Sequence, residues 1–167
     1  RDSWMVVFEM AIKKKEFEDS VARWLENHAQ KKYGNTHDVE ILHRSYLARD
    51  EVLKKSKYNH SNLFFAPHFT IVLTRKEYED VTLILVTVST KTIALKEIGE
   101  LRLYCRMANP VEALMLSADG LSSPVETMLL SEGRDKRLLR YDTGKDIEIW
   151  RFDADNDKLD GKRIMPL

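Results

Sequence analysis

Apolar positions along this chain fall into blocks whose spacing changes from strand-like to helical and back. The densest block is VTLILVTVSTKTIALKEIGELRLYCRMANPVEALMLSADGL, residues 81–121. Its first eight residues, Val81–Val88, have the length and β-branched content of a buried strand. After a short polar turn, Ile93–Ala108 takes on helical spacing. Asn109-Pro110 stops that helix, because proline lacks the N–H a helix needs and disfavours helical geometry in the residue before it. A second apolar strand is predicted over Val111–Leu116. This strand-helix-strand unit should form the centre of the core.

Upstream, Phe17, Val21, Trp24, Leu25 and His28 stand at i, i+4, i+7, i+8 and i+11, one apolar stripe of a helix. Glu16, Glu18 and Asp19 read as its first turn, where the dipole favours carboxylates. Lys31 and Lys32 read as its last turn, and Gly34-Asn35 as its end. Residues 4–12, WMVVFEMAI, fit either a short strand or a helical lead-in, and the basic run Lys13–Lys15 reads as a solvated face. Asp38–Leu47 is a predicted strand with a bulge. Within the polar stretch that follows, Ala48–Lys55 suits a helical turn or two. Leu63–Thr74 is a further strand region, with Pro67 confined to its start, an edge or a bulge. The charged turn Arg75–Asp80 then predicts that Phe69–Leu73 and Val81–Val88 pair as an antiparallel hairpin.

Downstream, Ser122–Ser131 is predicted as a short helix, with Ser123 as cap, Pro124 at its first position and Glu126 completing a capping box. Gly133 should end it. Arg137–Tyr141 and Ile147–Phe152 alternate as two strands around Asp142-Thr143-Gly144-Lys145, a small hairpin. Asp153–Leu167 is charged and reads as a loosely attached tail. The pattern as a whole predicts an α/β protein of one domain, residues 1–167, with its core over 16–121, a C-terminal helix and hairpin over 122–152, and a tail over 153–167.

Composition narrows the function classes. At 167 residues the chain is long enough for one real core and short for two. Lysine plus arginine equals aspartate plus glutamate at 27 each, so no whole-molecule field draws nucleic acid, although a local patch survives a neutral total. The single Cys105, at helical spacing from Leu101 and Ala108, is expected in the core rather than as a nucleophile. A lone cysteine and an opening without a secretory leader point to a reducing, cytoplasmic location. No apolar run reaches the ~18 residues of a membrane span.

Several motifs fail on their own chemistry. Asp153-Ala154-Asp155-Asn156-Asp157 opens like a calcium loop, but Lys158 and Ile164 stand where glycine and a bidentate carboxylate are required. His28, His37, His43, His60 and His68 lack zinc-ligand spacing and have one cysteine to join them. No glycine-rich phosphate loop or nucleophile elbow is present.

Three short stretches carry a resemblance. Ala66-Pro67-His68-Phe69-Thr70-Ile71 resembles a Pro-Asp motif entering a strand, and Val86-Thr87-Val88-Ser89 resembles a Glu-x-Lys at the end of the next. Ile98-Gly99-Glu100-Leu101 with Tyr104 resembles the helix that follows. Together with the order helix, strand, strand hairpin, helix, strand, they make Glu16–Leu116 similar to the PD-(D/E)XK nuclease superfamily, which includes Holliday-junction resolvases and many restriction enzymes. The resemblance implies a restriction-endonuclease-like core, a central mixed sheet flanked by helices, here with a C-terminal β-hairpin.

In that family two carboxylates hold a divalent metal and a lysine serves the attacking water. Glutamate and lysine stand two apart because alternate strand residues share a face. Here His68, Thr87 and Ser89 occupy the three positions, and imidazole and hydroxyls are poor ligands for Mg²⁺. The implied protein is therefore a degenerate nuclease without metal or other cofactor, acting on DNA or in a complex. Arg75, Lys76, Lys91 and Lys96 are the expected backbone contacts around the vestigial site. One alternative moves the chemistry to Glu97 and Glu100 with Lys91 and Lys96, and requires Mg²⁺. A third reading is a scaffold for a protein partner or a second copy, suggested by Trp4 and Trp150, which look exposed near the ends.

Overall fold

The computed structural model describes residues 2–44, 66–78 and 80–167. The chain opens with one long helix, α1 (Ser3–Tyr33), closed at Gly34, whose N–H bonds the Gln30 carbonyl. Glu16, Glu18 and Asp19 therefore lie mid-helix and not in a first turn. The apolar lead-in at residues 4–12 is helical. It escapes pattern analysis because its apolar residues run round the cylinder instead of along one stripe.

Strands β1 (His37–His43), β2 (Phe69–Arg75) and β3 (Val81–Ser89) form an antiparallel meander. Pro67 lies just ahead of β2, where its missing N–H costs no ladder bond. Helix α2 (Leu95–Ala108) returns the chain to β4 (Glu112–Ser117), which pairs parallel with β3. Asn109 ends α2 in the left-handed region at φ 46°. The strand read as Asp38–Leu47 ends at His43 among the described residues, while the predicted turn at Ala48–Lys55 and His60 lie outside them.

The C-terminal third departs further from the pattern. Helix α3 (Ser123–Leu130) is preceded by Ser122 as its cap residue, with no side-chain cap bond, so the box expected from Ser123 and Glu126 does not form. A 3-10 turn (Ser131–Gly133) leads into α4 (Arg134–Leu139), where a strand was expected. Leu138 and Leu139 are adjacent and only Leu139 is buried, a partition one helical turn provides. Strands β5 (Arg140–Asp142) and β6 (Lys145–Asp153) make the expected hairpin, with Gly144 at φ 70°.

Residues of the supposed tail form β7 (Lys158–Met165), antiparallel to β6. Ser20 on α1 holds the β6–β7 turn by donating to the Ala154 carbonyl (3.1 Å) and to the Asp157 carboxylate, which Arg23 also grips (2.8 Å).

The result is a seven-stranded mixed sheet in the order β1-β2-β3-β4-β6-β5, with β7 also on β6. Strand alternation sends Ile84, Val86, Leu114, Leu116 and Phe152 to one face, against Phe17, Val21, Leu25 and Ala29 of α1. Leu83, Leu85, Ala113, Met115, Ile147 and Ile149 face the other way, against Ile98, Leu101 and Cys105 of α2 and Leu129 and Leu139 beyond. Trp150 is half-buried on the α1 side, contrary to the expectation of an exposed ring. No helix among the described residues is long and apolar enough to cross a membrane.

Candidate functional site

The antiparallel register sets Phe69 opposite Val86, which brings His68 beside Thr87 at the end of the sheet where β3 finishes. His68, Thr87 and Ser89 therefore share one end of the sheet. Thr87 and Ser89 lie on the same strand face as Leu85, toward α2, and the charges that act on His68 include those of Arg44, Glu18 and Lys14.

The His68 ring accepts a hydrogen bond at Nδ1 from the Val88 backbone N–H (3.3 Å). A backbone amide can only donate, so the neutral ring carries its proton on Nε2. Burial first, and then the positive charge of Arg44, pull the His68 pKa down to about 4. The ring is neutral at pH 7. An NMR titration of its ring protons is expected to show a midpoint well below the ordinary 6.5, and a midpoint near 6.5 would mean that the ring is open to solvent.

Glu18 is the buried carboxylate of this end among the described residues, and both its oxygens are occupied. His43 Nε2 donates to Oε2 (3.1 Å) and Arg44 to Oε1. The His43 ring is stacked on Phe69 at 4.7 Å, which fixes its direction. Thr87 is buried, and the Ser89 hydroxyl shapes the turn after β3, donating to the Thr92 carbonyl (3.3 Å) and accepting from the Lys91 N–H (3.2 Å). A carboxylate already neutralised by an arginine, two imidazoles and two hydroxyls do not suit a hard divalent cation. Among the described residues no group of three His, Cys, Asp or Glu side chains is placed to hold an ion.

The two carboxylates of the relocated alternative are both engaged at α2. The Glu97 carboxylate accepts from the Ala94 N–H (3.1 Å) and caps α2, while Glu100 faces Lys96 across one helical turn (4.0 Å). Arg75 and Lys76 lie at the other end of β2, about 20 Å from His68 at ~3.3 Å per strand residue. Their expected place beside His68, Thr87 and Ser89 is thus corrected. Arg75 covers the Tyr78 ring (4.3 Å) and Lys76 donates to the Gly34 carbonyl (3.0 Å). Of the four cations expected there, Lys91 does reach this end.

Lys91 lines one groove with Lys13 and Lys14, which the charge pattern predicts as part of a solvated face. A groove of about 390 Å³ between α1 and the turn after β3 is lined by Met10, Ala11, Lys13, Lys14, Thr90 and Lys91. Lys13, Lys14 and Lys91 are exposed, and no carboxylate is among the described residues that line the groove. Their convergence had no local signal, because Lys14 and Lys91 stand 77 positions apart in the sequence and only the docking of α1 joins them.

A second polar cluster, also absent from the sequence reading, lies where α1 ends against the start of β4. Glu112 receives hydrogen bonds from His28 (3.1 Å) and the Tyr33 hydroxyl and pairs with Lys32 (3.3 Å). Burial pushes its carboxyl up, but the His28 and Tyr33 bonds and the charges of His28 and Lys32 outweigh that and hold it at about 2. Its signal in the sequence was one acid at the mouth of an apolar strand. Every partner is satisfied within the fold, which makes this a strut between helix and sheet.

Comparison of the chain with family models, curated proteins and solved structures finds no match in any of the three.

Proposed function

We propose that this chain is a nuclease-fold module that has lost metal-dependent catalysis and binds the phosphate backbone of nucleic acid through Lys13, Lys14 and Lys91. The observation that carries the reading is the convergence of these three lysines on one groove at the end of the sheet that holds His68. Clustered cations are the electrostatic footprint of phosphate binding, and they act locally even where the whole chain is neutral. The succession of a helix, a three-stranded meander, a helix and a parallel strand is the arrangement that the nuclease resemblance requires, and it supports the fold half of the proposal.

Titration with duplex, branched and single-stranded DNA at two salt concentrations tests the binding. Affinity is expected to fall as salt rises. The triple substitution Lys13→Gln, Lys14→Gln, Lys91→Gln should weaken it about tenfold at low salt and flatten the salt dependence by roughly 0.9 per lost contact on a duplex. Substituting Arg75 and Lys76 should change it little. Binding that ignores salt, or that the triple variant retains in full, would sink the proposal. Cleavage of labelled DNA with Mg²⁺ or Mn²⁺ that is lost in Glu97→Ala or Glu100→Ala would favour the relocated active site instead.

A further inference from the structure

The groove of Lys13, Lys14 and Lys91 carries apolar surface as well as charge. Met10 and Ala11 of α1 line it with Thr90, so carbon and cationic side chains share one concavity. Its volume of about 390 Å³ lies in the range of sites for one small ligand, roughly 300–1,000 Å³, and a nucleotide is of that size. Ala11 also belongs to a row on the helix. At 100° per residue, Trp4, Phe8 and Ala11 fall within about 60° of one another. Trp4 and Phe8 are 64% and 57% exposed, and their ring centroids lie 6.4 Å apart. Two aromatic rings thus stand one and two turns along α1 from the groove. Trp4 and Lys14 are separated by about 15 Å at 1.5 Å per residue.

We infer that the groove takes a single-stranded nucleic acid, its phosphates on the lysines and its bases stacked on Phe8 and Trp4. This rests on the phosphate contacts proposed above and narrows them to one class of strand. Cations and exposed rings in succession are the parts of a sequence-tolerant single-strand site. The cations hold the backbone, and the ring faces hold bases, every one of which has a π-face to offer. A duplex satisfies only half of that arrangement. Its bases are stacked on one another and present no face to Trp4 or Phe8, whereas the bases of a single strand splay onto such rings.

An anionic membrane surface also attracts lysines set beside apolar side chains. The shape of the site favours a strand. Its cations stand on both walls of a concavity, Lys13 and Lys14 on α1 and Lys91 on the turn after β3. A chain threads such a groove and meets both walls, while a bilayer surface lies across the rim.

Binding of a fluorescent single-stranded oligonucleotide, its duplex and an abasic strand of equal length tests the stacking. The abasic strand keeps every phosphate and is expected to bind about tenfold more weakly than the intact one. The double variant Trp4→Leu, Phe8→Leu keeps apolar bulk without a π-face. It should lose about tenfold on the intact strand and nothing on the duplex. Its salt dependence should match that of the unaltered protein, because the lysines are untouched. Trp4→Tyr, Phe8→Tyr restores the rings and should restore the affinity. Both side chains are exposed, so the far-UV spectrum should be the same in every variant. Salt-sensitive binding that is equal for intact and abasic strands, or that the leucine variant retains in full, would overturn the single-strand assignment and leave the phosphate contacts standing. Tighter binding of the duplex would do the same. Flotation with anionic vesicles that the oligonucleotide fails to displace would overturn it in favour of a membrane surface. Binding of no nucleic acid at all would remove the phosphate contacts and the stacking together.

Discussion

Glu112→Gln is expected to cost about 3 kcal/mol of stability at neutral pH and to remove most of its pH dependence between about 4.5 and 2. The carboxyl is held at about 2 against an ordinary 4.5, so the folded protein binds its proton far less readily than the unfolded chain does. A depressed carboxylate contributes stability that is complete above the unfolded value and is lost as the pH falls through the folded one. At 1.36 kcal/mol per pH unit this shift corresponds to roughly 3 kcal/mol, an order-of-magnitude figure that applies because Glu112 is only 10% exposed. Glutamine keeps one acceptor for His28 and Tyr33 but loses the charge that Lys32 faces. Urea unfolding of both proteins from pH 7 to pH 2 checks this, since the low pKa of His68 acts on each alike and cancels in the difference. Parallel curves at all pH values would show that Glu112 is not the buried anion described.

Elements whose burial is settled locally were legible in the sequence. Val81–Val88 and Val111–Leu116 are apolar on both faces, and the structure covers both faces with helices, α1 on one side and α2 on the other. Asn109-Pro110 marked the end of α2 because its chemistry is independent of the rest of the fold. The tail was misread for the opposite reason. Strand β7 is a polar edge strand in which only Leu159, Ile164 and Met165 are even partly covered, and polar edges are how sheets avoid pairing with other chains.

The candidate site was half legible. That His68 and Ser89 share one end of the sheet follows from the predicted hairpin of Phe69–Leu73 with Val81–Val88. That same pairing carries Arg75 and Lys76 to the opposite end, a consequence of antiparallel direction that distance along the chain conceals. Glu18 was misjudged because the helix start was placed thirteen residues late, which made a buried ligand of His43 and Arg44 look like a dipole charge. Where one element's length decides which residues lie near its ends, an error in the boundary becomes an error in function.

Leu101→Ala should destabilise the fold by about 2–5 kcal/mol, while Leu103→Ala on the same helix should stay within about 0.5 kcal/mol. Leu101 is fully buried between α2 and the sheet, and truncating it loses its transfer energy and leaves a cavity that close-packed neighbours fill only in part. Leu103, two positions on, is 58% exposed and gives up little. Against a total of about 5–15 kcal/mol for a domain, the first change removes a large share. Leu25→Ala provides the third measurement. Leu25 is equally buried on the opposite face of the sheet, so a single core structure predicts a loss of the same size and one cooperative transition in both variants. If Leu25→Ala instead split the unfolding curve in two, α1 would be a separately melting layer. The groove that Lys13, Lys14 and Lys91 form across its edge would then open before the sheet does, and the proposed phosphate binding would be lost at a lower denaturant concentration than the sheet itself.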